Sequence, residues 1–336
     1  MDLSYSKIGT WKRCWKKFHY KYINGLRLKT KPRKPRMGIL AHEGLLAKWK
    51  GEDWEAKIEE VFYDVLGMPK SLVPDEDKED IELVKKVLKR YFAHRTHFRS
   101  KDEKDLIEPE TKFSIPIPNT NIDLIGYMDK VIKVPNEGIW LIDHKFTTLA
   151  PEKKLEKMEL NEQIDYYIWA LTQMFPDEKV IGAIFNVVRL KLPTEPQPIK
   201  SGKRLSKAKI TTDYETYANA ISKHGFDPED YGDILTKLEH QDSPFFRRGW
   251  IDRDSYEIQE IGRELQALAF EIPKTTNDIR SRDTTKCNWD CDYEDLCLTE
   301  KKGGDVEAII NEYFEYSDWS DEKVENEESE QEELAF

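Results

Sequence analysis

Apolar positions at three-to-four spacing open the chain. Trp11, Trp15, Phe18 and Tyr22 fall on one side of a helix predicted over 4–24. Such a stripe is read as core packing rather than as a platform for stacked bases. A second, strongly amphipathic helix is predicted over 76–98, with Ile81, Val84, Leu88, Tyr91, Phe92 and Phe98 along one side. The period then changes to two. Residues 108–117, 121–134 and 138–146 read as strands, about 156–175 as a helix and 179–190 as a further strand. The order helix, three strands, helix, strand predicts an α/β core. Residues 191–212 carry Pro193, Pro196, Pro198 and Gly202 in a basic, polar setting and read as an extended loop or arm. Helical patterns return over 213–240 and 254–272, and the chain has no internal repeat.

Two of the strand patterns carry charge where a buried strand should not. Asp129 lies in the first, and Asp143-His144-Lys145 in the second. Pro135-Asn136-Glu137-Gly138 between them has turn chemistry, so the pair is predicted as a hairpin that brings Asp129 near Asp143. Alternation puts Asp143 and Lys145 on one face and His144 on the other. Two carboxylates can hold hard divalent cations through oxygen, and a nearby ammonium can orient water or stabilise charge on a phosphate. The competing reading is a ladder of charges on a half-exposed hairpin.

Net charge is −12, which argues against nucleic acid until its distribution is read. Residues 317–336 hold nine acids and one lysine, so −8 of that total lies in the last twenty residues. Leu3 to His42 contain twelve Lys and Arg and no acid, and a second basic run spans Arg189 to Lys209. Two basic segments beside a carboxylate site suit a polyanion, although the second also reads as a solubilising surface. The stretch 303–336 is read as an acidic, disordered tail, with docking of a protein partner through Leu334-Ala335-Phe336 as an alternative. No apolar run reaches the length of a membrane span and no apolar signal segment opens the chain, so a cytoplasmic protein with no membrane partner is expected. There is no Gly-x-x-x-x-Gly-Lys-Ser/Thr, so ATP-driven unwinding is not expected of this chain.

The four cysteines are Cys14, Cys287, Cys291 and Cys297. A disulfide framework does not suit an intracellular chain of this size. Zinc held by four cysteines usually shows two Cys-x2-Cys pairs, whereas the layout here is one plus three.

Taken together these motifs resemble the PD-(D/E)XK nuclease superfamily, in its RecB-like branch. Asp129, within Gly126-Tyr127-Met128-Asp129, matches the first motif aspartate, and Asp143 with Lys145 matches the (D/E)-x-K. Gly38 and His42 match the upstream Gly-x-x-x-His, and Gln163 with Tyr167 matches the Gln-x-x-x-Tyr of the following helix. Two prolines frequent in the superfamily are replaced, by Trp15 after the first cysteine and by Met128 before the first aspartate. The resemblance implies a restriction-endonuclease-like α-β-β-β-α-β core, with a mixed central sheet flanked by helices and added helical segments. It also implies one nuclease domain over 1–302: basic helix 4–24, core 76–190, basic loop and helical insertion 191–240, cysteine region 245–297.

Mg²⁺ or Mn²⁺ is then expected on Asp129, Asp143, His42 and the His144 carbonyl. Gln163 and Tyr167 position the lysine or the nucleic-acid backbone. Glu110 is read either as a further metal acid or as an exposed carboxylate at a strand start, and Tyr167 has core packing as its rival. Cys14, Cys287, Cys291 and Cys297 match the one-plus-three layout that holds a 4Fe–4S cluster in AddB-type and CRISPR-associated relatives, with zinc as the alternative. The implied activity is that of a bacterial or phage DNA exonuclease in replication, recombination, repair or spacer acquisition. A non-catalytic DNA-end-binding module, or a zinc-stabilised structural subunit, is the reading from another class.

Overall fold

The computed structural model describes residues 1–29, 33–66, 70–94, 106–275, 282, 287 and 291–317. Helix α1 (Tyr5–Arg13) starts at Ser4, whose side chain accepts the Lys7 N–H, and stops at Cys14, where the backbone becomes extended. Cys14 then caps α2 (Trp15–Phe18): its sulfur accepts the Lys17 N–H at 3.4 Å. One π-helical turn, His19–Ile23, follows. The single helix expected over 4–24 is therefore broken, by a side-chain cap rather than by proline or glycine. Strand β1 (Leu26–Leu28) comes next.

Three helices then form one layer: α3 (Arg33–Lys50), α4 (Trp54–Leu66) and α5 (Asp75–Ala93). Asp75, Glu76 and Asp77 open α5, where negative charge suits the positive end of the helix dipole. The predicted extension of this helix to 98, including Phe98, lies outside the described residues.

The central sheet has five strands in the order β2 (Leu106–Pro116), β3 (Asp123–Val134), β4 (Gly138–Thr147), β5 (Val180–Arg189) and β6 (Phe246–Asp252). All neighbours are antiparallel except β4 and β5. That parallel pair needs a crossover, supplied by α6 (Pro151–Leu155) and α7 (Glu162–Met174). A short 3₁₀ turn, Met158–Leu160, takes the place of the first turn of the helix expected over about 156–175, and Asn161 caps α7 through the Ile164 N–H. Strand β6 precedes the helix expected over 254–272 and is not among the strands expected from period two. After β5 the chain forms α8 (Tyr214–His224) and α9 (Gly232–His240), and after β6 the long α10 (Ser255–Glu271).

Side chains alternate across the sheet into two cores. Leu141, Phe185 and Val187 pack with Ile164 and Leu171 of α7, Ile8 of α1 and Leu265 of α10. Phe146, Val188 and Phe246 pack on the other face with Leu40, Phe62, Val84 and Leu88 of α3–α5. Each such side chain contributes about 1.5–3 kcal/mol when fully buried. The alternation fails beside the charged residues. Met128 and Val131 both enter the α7-side core although they are three residues apart. Between them lies Asp129, and across from it Glu110 adopts φ 55°, since its neighbours Pro109 and Thr111 pair with Lys130 and Met128. Irregularities of this kind re-aim side chains and cluster beside functional sites.

The expected tail from 303 is ordered in its first part. Helix α11 (Glu294–Lys301) leads to α12 (Val306–Tyr313) and β7 (Phe314–Tyr316), which pairs antiparallel with β1. Tyr20, Leu26, Tyr293, Leu296 and Phe314 form a separate small core there. Ile309, Ile310 and Phe314 supply the apolar surface that ties this segment down, which the acids around them obscure in the sequence. Residues 318–336, and with them the docking motif at 334–336, lie outside the described residues.

Candidate active site

Where β3 and β4 part, the charged residues gather. Their ladder ends at Lys130 opposite Ile142, one residue short of Asp129 opposite Asp143. Strand β4 continues against β5 as far as Thr147 opposite Arg189, so its N–H groups beyond Ile142 lose their β3 partners. Asp129 fills that gap: its Oδ2 accepts the His144 backbone N–H at 2.6 Å. Glu110, Asp129 and Asp143 thereby fall side by side on β2, β3 and β4.

On the α7 face, Lys145 is almost wholly buried, with Nζ 3.2 and 3.3 Å from the two oxygens of Asp143. The ammonium also donates to Gln163 Oε1 at 2.6 Å, and Gln163 Nε2 donates to the Tyr167 hydroxyl at 3.3 Å. One helical turn separates Gln163 from Tyr167, so both reach the same point. Tyr167 also packs edge-on against Phe113; packing and hydrogen bonding are thus joined in this residue.

His42, from α3, approaches Asp129 from the other face, with Nδ1 3.6 Å from Oδ1 and its ring edge-on to Phe146. His144 points to that face too, between Trp49 of α3 and Tyr91 of α5. Its Nε2 lies 3.0 Å from the Tyr91 hydroxyl and 3.1 Å from Asn186 Nδ2. Burial opposes ionisation of Asp129, but His42 and His144 outweigh it and hold the carboxylate at a pKa of about 2. Burial, with the His42 and Arg248 charges, pushes His144 down to about 4 even though Asp129 pulls the other way. At neutral pH the site therefore presents an ionised Asp129 and a neutral His144.

Tyr91 and Asn186 carry no functional reading from sequence; Arg247 and Arg248 read there as phosphate contacts or as partners of acids, and Arg247 pairs with Asp242 while Arg248 donates to Asn186. Tyr91 is hidden in the apolar stripe of its helix. Asn186 does have a signal, being the one polar side chain within the apolar run Val180-IGAIFNVV-Arg189. Glu110 is half-buried, with Lys50 Nζ 4.0 Å from its Oε2.

The donors suit a hard cation: carboxylates from adjacent strands with an imidazole beside them. They are not drawn around one point. Among the described residues, no three His, Cys, Asp or Glu side chains stand close enough together to hold an ion. The four thiols are separate from this site and line one cavity of about 220 Å³ together with Lys16, Lys17, Arg282 and Lys301.

The acid-free N-terminal stretch is less available to a polyanion than its sequence suggests. Lys12 pairs with Glu162 and Glu264, Lys16 with Glu300, Arg27 with Glu315 and Arg36 with Asp77. Lys7, Lys16 and Lys21 are buried. Acids distant in sequence take up these cations. Lys31 lies outside the described residues.

A family model described as the PD-(D/E)XK nuclease superfamily matches residues 2–298. The chain belongs to the PD-(D/E)XK nuclease superfamily. The mixed sheet flanked by helices fits that superfamily, whose nucleases act on DNA and generally use Mg²⁺ or Mn²⁺. Among curated proteins none matches the chain. A solved protein, SSO0001, is similar over 78% of this PD-(D/E)XK chain and 84% of its own, with 13% identity and a TM-score of 0.29. No helix among the described residues is long and apolar enough to cross a membrane.

Proposed function

We propose that the chain is a metal-dependent deoxyribonuclease of the RecB-like branch, acting as an exonuclease. One observation carries the catalytic reading: Asp129 and Asp143 flank the point where two strands part, with Lys145 held between Asp143 and Gln163. Asp129, Asp143 and Glu110 with His42 would hold Mg²⁺ or Mn²⁺, and the carbonyl of His144 is a further candidate ligand. A bound divalent cation would supply a polarised phosphate and a more acidic water. Lys145 would orient the attacking water or offset charge growing on the phosphate, while Gln163 and Tyr167 hold its ammonium in place. Exonucleolytic action and the RecB-like assignment rest on the matched motifs.

Digestion of end-labelled and circular DNA with Mg²⁺ or Mn²⁺ tests the reading. Asp143→Asn and Lys145→Ala should each cost roughly a hundredfold or more in rate with circular dichroism unchanged, as expected when a group acts directly on the reacting atoms. Equal rates in these variants would sink the proposal, and rapid cutting of circles would replace exonuclease by endonuclease.

The reading includes a 4Fe–4S cluster on Cys14, Cys287, Cys291 and Cys297. Thiolates around a cluster accumulate negative charge, and Lys16, Lys17, Arg282 and Lys301 line this cavity with Glu294 as the one acid among its described lining residues. Arg282 Nε donates to Cys297 Sγ at 3.0 Å and the Lys17 N–H to Cys14 Sγ at 3.4 Å. A single zinc ion with bonds of about 2.3 Å would need its four sulfurs close around one point, and is the alternative occupant of this cavity. Iron, sulfide and zinc analysis of protein purified without air distinguishes the two. Zinc alone would overturn the cluster.

A further inference from the structure

We infer that Arg248, Asn186 and Tyr91 are positioning residues for Asp129, acting through the imidazole of His144. The geometry stands by itself; its chemical purpose rests on the nuclease reading above. Arg248, Asn186 and His144 lie directly opposite one another on β6, β5 and β4. Their hydrogen bonds run in one direction. Arg248 Nε donates to Asn186 Oδ1 at 2.7 Å. A guanidinium has no acceptor, so this contact fixes which end of the amide is oxygen. The Asn186 Nδ2 is then the atom that faces His144 Nε2 at 3.1 Å.

An amide nitrogen only donates, so Nε2 accepts, and in a neutral imidazole the proton sits on Nδ1. The Tyr91 hydroxyl, 3.0 Å away, donates to the same Nε2. His144 Nδ1 is buried, without a hydrogen-bond partner among the described residues, and lies 3.6 Å from Asp129 Oδ2. That oxygen is the one already accepting the His144 backbone N–H. The relay thus turns an N–H toward the carboxylate. The other tautomer would present a lone pair to an anion. With His144 only 2% exposed, solvent cannot correct that mismatch. A cation two strands away from His144 selects the ring form that keeps Asp129 oriented for its ion. In metal sites, partners of this kind around a ligand are worth 10–100-fold in affinity or activity.

Asn186→Asp tests the relay with an isosteric change. Its carboxylate keeps the Arg248 contact but offers Nε2 an acceptor, so the ring proton should move to Nε2. Nitrogen-15 spectra of histidine-labelled protein at pH 8.5, with His144→Gln for assignment, read the tautomer directly. The expected result is Nδ1–H in the wild type and Nε2–H in Asn186→Asp. Calorimetric Mg²⁺ affinity should fall about tenfold in the variant. Arg248→Met should give a mixture of tautomers, because the amide is released to flip. An Nε2–H tautomer in the wild type, or no change in Asn186→Asp, overturns the relay. Inversion without loss of Mg²⁺ affinity overturns its positioning role. A wild type that binds no Mg²⁺ and cuts no DNA fails at the nuclease reading instead, and removes the relay's purpose with it.

Discussion

His144 meets two demands: its backbone N–H holds Asp129, and its ring must remain neutral among buried neighbours. Its folded pKa of about 4 lies below the ordinary 6.5. The unfolded chain therefore takes up a proton in that interval while the folded chain does not. Stability from this residue is complete above pH 6.5 and is lost as pH falls toward 4, a difference on the order of 3 kcal/mol. Asp129 has the same sign lower down: held at about 2, its contribution is complete above the ordinary 3.8 and disappears as pH drops through 2. Urea unfolding of wild type and His144→Gln across pH 4–8 checks the histidine. The variant should lose the steeper decline between 6.5 and 4, and parallel curves would contradict the assignment. Gln163 provides a second check at this scale. Gln163→Ala removes the acceptor of Lys145 and should slow cleavage by roughly tenfold or more, whereas Tyr167→Phe keeps its packing on Phe113 and should cost only a few-fold. Mg²⁺ affinity should not change in either.

Strand pairing places these residues, and it depends on close backbone approach. A Cβ on Gly182 would sit 2.0 Å from the Ile251 carbonyl oxygen, a contact with backbone that no rotamer can relieve. Gly182→Ala should therefore separate β5 from β6, cost several kcal/mol by the scale of overpacked cores, and shift Asn186 from Arg248. Thermal unfolding measures the first effect and cleavage rate the second; an unchanged melting temperature would be incompatible with this pairing. Elements with a period-two pattern are legible in sequence: β4 and most of β3 follow from it, although not the break at Asp129, and the hairpin follows from Pro135–Gly138. Strand β6 is not, because Arg247, Arg248 and Gly249 interrupt its apolar run. Helix α4 does carry a readable pattern, with Ile58, Phe62 and Leu66 at four-residue spacing. The break at Cys14 is invisible because a thiol seldom caps a helix. Asp129, Asp143, Lys145, His42 and Gln163 stand out by residue type and spacing. Tyr91 and Arg248 do not, since their partners lie 53 residues away across the fold and one strand over.

Charge acts on the molecule as a whole. Acids distant in sequence take up Lys12, Lys16, Arg27 and Arg36, so segment charge alone misstates the surface a polyanion meets. The end of the chain has two parts with different physics. Residues 314–316 pair with β1, and with the helix before them fill a small apolar core beside the cysteine cavity. Truncation after residue 302 should lower the melting temperature markedly, because it exposes Tyr20, Leu26 and Tyr293. Residues 318–336 carry −8 of the net −12, so truncation after 317 leaves a chain of −4. A tethered anionic segment competes with DNA for the same cations and raises the work of bringing a polyanion near. Removing it should tighten DNA binding several-fold at about 50 mM salt. The gain should vanish near 0.5 M, where the Debye length falls to roughly 4 Å. Fluorescence anisotropy with the Asp143→Asn protein measures both without cleavage. If truncation leaves low-salt affinity unchanged, the tail does not face the DNA path, and docking of a partner protein becomes the better account of its charge.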